Sequence, residues 1–325
     1  MKKILFLLFC TIVTLSLKAQ KITSNIGTVA DGYNFWLYTP DPVGEEVQKK
    51  PVVIFLHGAS LCGNDLNRVR RYGTIDAIEK GRELDAYVIA PQNPGGRWQP
   101  EKIMNILEYV SSKHNVDQDR IYVLGMSLGG YGTIDFAATY PDRVAAAMAL
   151  CGGASVRDVA GLNDVPLWIV HGIADERVSV RESDKVVDKM RDDNKVTPRL
   201  IYNRIPGMNH SRPCRLFYLK ESYDWLFAHN LRDKDRTVNL NYTFDVASSV
   251  KDAYKDLNRS TRRQLIAPGD SYQNLAYGNG SRSSKSSKSA VKKSKRSKGT
   301  AVSTRRSAKS GHATRVSSKA RARRR

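Results

Sequence analysis

The stretch Ile121-Tyr122-Val123-Leu124-Gly125-Met126-Ser127-Leu128-Gly129-Gly130-Tyr131-Gly132 decides how this chain reads. Its four leading apolar residues suit a strand covered on both faces. Residues 131–139 then follow a helical pattern. Between them lies a strand-to-helix turn so tight that the residues two before and two after its serine must be small, here Gly125 and Gly129. A serine at such an apex is held in a strained backbone that lifts its hydroxyl clear. Ser127 is therefore a candidate nucleophile, and the rest of the chain must supply a base and an acid.

Working outward, residues 21–230 alternate strand-like and helix-like segments, the pattern of an α/β fold with a mostly parallel central sheet and helices on both faces. Residues 33–38 read as an early edge strand. Apolar runs at 52–56, 86–90, 121–124, 144–150, 167–170 and 199–202 read as the remaining strands. Helices are expected over 67–80, 101–113, 131–139 and 180–191. Leu216, Leu219, Tyr223, Leu226 and Phe227 mark one face of a closing helix.

A serine hydroxyl becomes a useful nucleophile when a base takes its proton, and the base must be oriented by an acid. The strand at 167–170 runs into His171-Gly172-Ile173-Ala174-Asp175, which places Asp175 on a loop at the carboxyl end of a strand, the same edge as Ser127. The strand ending near Tyr202 runs into Gly207-Met208-Asn209-His210, which places His210 on the next such loop. Asp164 precedes its strand and so lies at the wrong edge, and Asp142 follows a helix and Pro141, where a surface turn is more natural. His171 ends a strand, where it packs or bonds to the Asp175 loop. His114 and His229 fall at helix ends, where a protonated His suits the dipole. The triad read from the residues is Ser127, Asp175 and His210.

The tetrahedral intermediate of acyl transfer needs two N–H donors for its oxyanion. The amide of Leu128, first in the helix after the serine, is one candidate. The amide of Ala59, on the loop His57-Gly58-Ala59-Ser60 after the strand at 52–56, is the other. His57 and Trp98 are the candidate substrate contacts. Trp98 suits stacking on a sugar or aromatic acyl group, and equally suits a buried core position.

His57-Gly58, Gly125-Met126-Ser127-Leu128-Gly129, His171-Gly172 with Asp175, and Gly207 with His210 together resemble the α/β-hydrolase superfamily over residues 21–230. The resemblance extends to the secreted phospholipase/carboxylesterase and dienelactone-hydrolase-like group, to feruloyl and acetylxylan esterases and to predicted peptidases. Gly95-Gly96-Arg97-Trp98 matches that group as well. The resemblance implies an α/β-hydrolase fold with no large cap domain. The resemblance does not identify the substrate; the export signal, the uncapped core and Trp98 together make a carboxylic-ester hydrolase working through an acyl-enzyme on small acyl esters or acylated polysaccharide the expectation. A peptidase or lipase with the same triad is the alternative.

The ends of the chain differ from its middle. Residues 1–19 carry Lys2 and Lys3, an apolar run over 4–17 and then Lys18-Ala19, the pattern of a secretory signal cleaved after Ala19. The apolar run is shorter than the roughly 20 residues of a membrane-spanning helix. No transmembrane segment is expected in the mature chain, and the expected location is secreted, periplasmic or cell-envelope. Export permits disulfides. Cys62, Cys151 and Cys214 then remain, either as a Cys62–Cys214 bridge near the site mouth with Cys151 free, or as three reduced thiols.

Residues 281–325 hold 17 Lys/Arg and no acid, and without them the net charge of +21 falls to +4. Lys2, Lys3 and Lys18 account for three of those four, so residues 20–280 are close to neutral. The expected organisation is a signal at 1–19, a catalytic domain at 20–230, a partly ordered extension at 231–280 and a disordered Ser/Lys/Arg tail at 281–325. Such a tail suits salt-dependent binding of an anionic cell-envelope polymer, and equally suits a solubilising role. No cofactor is called for, and no Cys/His spacing resembles a metal site.

Overall fold

The apolar runs assemble into one eight-stranded sheet. Its strands are β1 (Lys21–Asn25), β2 (Phe35–Thr39), β3 (Lys50–Leu56), β4 (Tyr87–Pro91), β5 (Val116–Met126), β6 (Ala146–Leu150), β7 (Leu167–Gly172) and β8 (Leu200–Ile205), in the order β1-β2-β4-β3-β5-β6-β7-β8. β2 pairs antiparallel with both β1 and β4, and every other pairing is parallel. The computed structural model describes residues 20–41, 48–191, 197–239, 242, 244–258 and 265, and all of them belong to one compact unit that ends at Tyr277. The expected signal at 1–19 and the basic tail at 281–325 lie outside the described residues.

Alternation along the strands divides the core in two. Val53, Phe55, Tyr122 and Leu124 face one side, with α1 (Thr74–Glu79), α5 (Lys220–Phe227) and α6 (Val246–Ser249) packed on them. Val52, Ile54, Ile121 and Val123 face the other, under α2 (Pro100–Lys113), α3 (Leu128–Thr139) and α4 (Arg181–Met190). Strands covered on both sides have no wet face, which is why their sequences are continuously apolar rather than alternating. None of the helices among the described residues is long and apolar enough to cross a membrane.

Three elements differ from expectation. The strand expected at 33–38 is not the edge, because β1 lies outside it. β1 is Lys-Ile-Thr-Ser-Asn with Ile22 alone fully buried, so a short polar edge strand leaves almost no apolar pattern. The helix expected over 67–80 is a 3-10 turn (Leu66–Arg71) followed by the separate α1. Gly73 breaks it at φ 97°, where a Cβ would fall 2.0 Å from the Phe55 ring. The closing helix is likewise a 3-10 turn (Arg212–Tyr218) and then α5, separated by extended backbone at Leu219.

The extension beyond residue 230 packs on the α5 side of the sheet. Val238, Val246, Val250 and Ala253 are buried there. Tyr242 and Phe244 set their rings edge-on to Trp168 at 5.7 and 5.6 Å. Arg82 pairs with Asp256 at 2.9 Å, and Ile22 N–H of the edge strand donates to Leu265 O at 2.7 Å. Tyr242 and Phe244 themselves are not in a strand.

Candidate active site

β5 delivers Met126 to the sheet's carboxyl rim and α3 begins at Leu128, leaving Ser127 alone in the turn with φ 58° and ψ −122°. That conformation costs a non-glycine residue roughly 1–3 kcal/mol. It is held by the Ser127 N–H bond to Leu150 O (2.8 Å) and by Tyr131 N–H donating to Ser127 O (3.0 Å). The flanking glycines are obligatory for contact reasons. A Cβ on Gly129 would stand 1.8 Å from Leu56 O, and one on Gly125 would stand 2.4 Å from Gly129 O.

The loop after β3 passes against the serine. A Cβ added to Gly58 would lie 3.4 Å from Ser127 Cβ. Gly58 N–H donates to the Tyr72 hydroxyl at 2.9 Å, which fixes the loop as it enters the 3-10 turn Ala59–Leu61. The N–H groups of Ala59 and Leu128 take no hydrogen-bond partner among the described residues, whereas their neighbours Gly58 and Ser127 do.

Asp175 lies just beyond β7. Its Oδ1 accepts from Arg177 N–H (2.8 Å) and Val178 N–H (2.9 Å), and its Oδ2 lies 2.7 Å from His210 Nδ1. Burial pushes the Asp175 pKa up, but the Val178, His210 and Arg177 hydrogen bonds together bring it below the ordinary carboxylate value. An ionised carboxylate only accepts, so the His210 ring carries its proton on Nδ1 and leaves Nε2 as the basic nitrogen. His171, beneath this loop, lies 2.7 Å from Ser183 Oγ and 2.9 Å from Val178 O, and pins the loop to α4.

Ser127, His210, Gly58 and Ala59 share the wall of one pocket of about 580 Å³. Tyr72, Arg177 and Cys214 are also part of that wall. Cys214 is expected near the site mouth, whereas Tyr72 is not apparent in the sequence, because it follows a 3-10 turn whose position depends on a helix break. The structure places the two expected substrate contacts elsewhere. His57 is fully buried, with Nδ1 donating to Gly58 O (2.8 Å) and Nε2 accepting from Asn93 N–H (3.0 Å), and burial pushes its pKa down to about 4. Trp98 is 1% exposed, donates to His57 O at 3.3 Å and stacks edge-on with Tyr33 and His57. Both support the Gly58–Ala59 loop and α3 from below rather than line the pocket.

Cys62, Cys151 and Cys214 are all unpaired, which corrects the bridged alternative. Cys151 ends β6 at φ 48° and is buried, its sulfur 4.0 Å from His210 O. Cys151, Asp175 and His210 each offer a metal-ligand atom within 4.8 Å of the others. Their chemistry opposes a metal, because burial and the neighbouring Asp175 charge push the Cys151 thiol far up, and Asp175 is already committed to three N–H donors.

This arrangement can now be set beside known proteins. Residues 87–164 match the model of the prolyl oligopeptidase family. The chain is similar to a solved thermostable esterase at 26% identity and a TM-score of 0.50, covering 61% of this chain and 59% of that one. The chain belongs to the α/β-hydrolase superfamily.

Within that superfamily it is 26% identical over 170 residues to poly(3-hydroxyalkanoate) depolymerase C of Paucimonas lemoignei, covering 45% of this chain and 39% of the depolymerase. It is 23% identical over 287 residues to feruloyl esterase B of Neurospora crassa, covering 81% of this chain and 83% of that enzyme. The α/β-hydrolase thus spans well under half of the depolymerase and most of the feruloyl esterase.

Proposed function

We propose that this protein is an exported serine hydrolase of carboxylic esters. One observation carries the reading: Ser127, strained at the apex of its turn, shares a pocket with His210, whose ring is held 2.7 Å from Asp175. Ser127 Oγ attacks the ester carbonyl while His210 Nε2 takes its proton, and the Ala59 and Leu128 amides receive the oxyanion. His210 then returns the proton to the departing alcohol, and water releases the acid from the acyl-serine. Asp175 stays ionised and keeps the imidazole in the productive tautomer.

The esterase and depolymerase relatives favour ester over amide bonds, with acylated polysaccharide or small acyl esters as substrates. The N-terminal pattern at 1–19 supports export. The basic residues at 281–325 suit retention on an anionic envelope polymer. A peptidase is the second reading, favoured by the match to the prolyl oligopeptidase family over 87–164.

A fluorophosphonate probe with the adduct mapped by mass spectrometry tests the core claim. Labelling at Ser127 is expected, and no labelling, or labelling elsewhere, defeats it. Release of ferulate or acetate from xylan, beside 4-nitrophenyl acetate and a fluorogenic peptide panel, separates the substrate classes.

A further inference from the structure

The pocket wall is electrostatically one-sided. Its lining includes Arg177 and His210 but no Asp or Glu. Of the two acids just before Arg177, Asp175 is buried behind His210 and occupied by three N–H donors, and Glu176 is exposed and outside the lining. Nothing in the wall therefore neutralises Arg177.

Arg177 is held at this spot by its backbone and leaves its side chain free. Its N–H is bonded to Asp175 Oδ1, two residues earlier, and the next residue is tied through Val178 O to the His171 ring. The exposed guanidinium makes no ion pair or hydrogen bond among the described residues. Four other arginines of the fold, by contrast, are committed: Arg143 to Glu108, Arg204 to Asp184, Arg232 to Asp119, Arg82 to Asp256. On another side of the mouth Arg68 donates to Ser60 O at 2.8 Å, putting a second positive charge behind a lining residue. One cation in the wall and a second behind it, with no acid in the lining, attract anions and repel cationic substrates.

We propose that Arg177 selects esters that carry a carboxylate within a few bonds of the scissile carbonyl, such as hemiesters of dicarboxylic acids or acyl groups on acidic alcohols. The proposal rests on the Ser127 site being an esterase site and names its substrate class. A guanidinium pairs a carboxylate through two parallel N–H bonds, which fixes the substrate's orientation as well as drawing it in. At a water-accessible mouth the gain in kcat/KM is roughly tenfold, and it shrinks with added salt as the charges are screened.

The test measures ratios, so general damage to the enzyme cancels. One arm compares 4-nitrophenyl hemisuccinate with 4-nitrophenyl butyrate and places the charge on the acyl side. The other compares 4-acetoxybenzoate with its methyl ester and places it on the alcohol side. In the full-length protein the charged-to-neutral ratio of kcat/KM in one arm is expected to fall about tenfold in Arg177→Gln and further in Arg177→Glu. The loss is expected in KM more than in kcat. A ratio unchanged by both substitutions in both arms overturns the proposal. If neither member of a pair is hydrolysed, or if Ser127→Ala leaves turnover intact, the esterase reading itself has failed, which is a separate outcome.

Discussion

At the rim where β5 and β6 end, Ser127 and Cys151 hold positive φ angles; Ser127 lines the pocket, and the buried Cys151 turns its sulfur towards His210 O. Along the face covered by residues 238–258, Trp168 meets Trp225, Tyr242 and Phe244 edge-on, and donates from Nε1 to Asn203 at 2.7 Å. The first region stores strain, and the second supplies the burial that offsets it. Damage at the rim should therefore appear in rate, and damage at the face in stability.

The largest effect that would break this contrast is at the serine. Ser127→Ala should lower kcat on an activated ester by something on the order of a millionfold, with the melting temperature near wild type, since alanine keeps the Cβ that the strained turn already accommodates. A large fall in stability would mean that the turn is structural. Asp175→Asn should cost on the order of ten-thousandfold in kcat, because the amide disturbs the tautomer of His210 without vacating its volume. Steady-state kinetics beside circular dichroism checks both.

At the packed face the expectation reverses. Trp168→Ala should destabilise the protein by about 3–5 kcal/mol, read by urea denaturation, while kcat per folded molecule stays near wild type. If truncating the chain at residue 237 left stability intact, the extension would not be part of the core and the comparison would lose its second half.

The smallest effect is pH-linked. His57 is held neutral by burial, with a folded pKa of about 4 against 6.5 when unfolded. Between those values the unfolded chain binds a proton that the folded chain refuses. Stability is therefore full above pH 6.5 and falls as the pH drops towards 4, by about 3 kcal/mol for this one group. Denaturation midpoints across that range measure it. His57→Gln should flatten the slope, and an unaltered slope would assign it to other groups.

Much of this was legible before any coordinates. The parallel strands announced themselves because burial on both faces leaves no room for polar residues. The Ser127 turn was legible because its two glycines answer a steric demand that no larger residue meets. The proximity of Asp175 to His210 followed from chain order and strand ends, since a parallel sheet brings successive carboxyl ends to one rim. β1 was missed because a polar edge strand has no burial to betray it. Trp98 was misplaced because an aromatic residue near a mouth and one beneath it have the same composition.

Sequence by itself determined what is repeated or sterically forced: the apolar strands, the glycine-bounded serine, the order of the three polar residues and the concentration of charge at the carboxyl end. Only tertiary structure decided which side chains face the pocket, that His57 and Trp98 lie under it, that Tyr72 and Arg177 border it, and that Val238, Val246, Val250 and Ala253 pack on one face of the sheet. The reason is physical. Steric and burial constraints on a strand or a turn act over a few residues and leave a local pattern. A pocket wall is assembled from segments far apart in the chain, and its residues obey no common local rule.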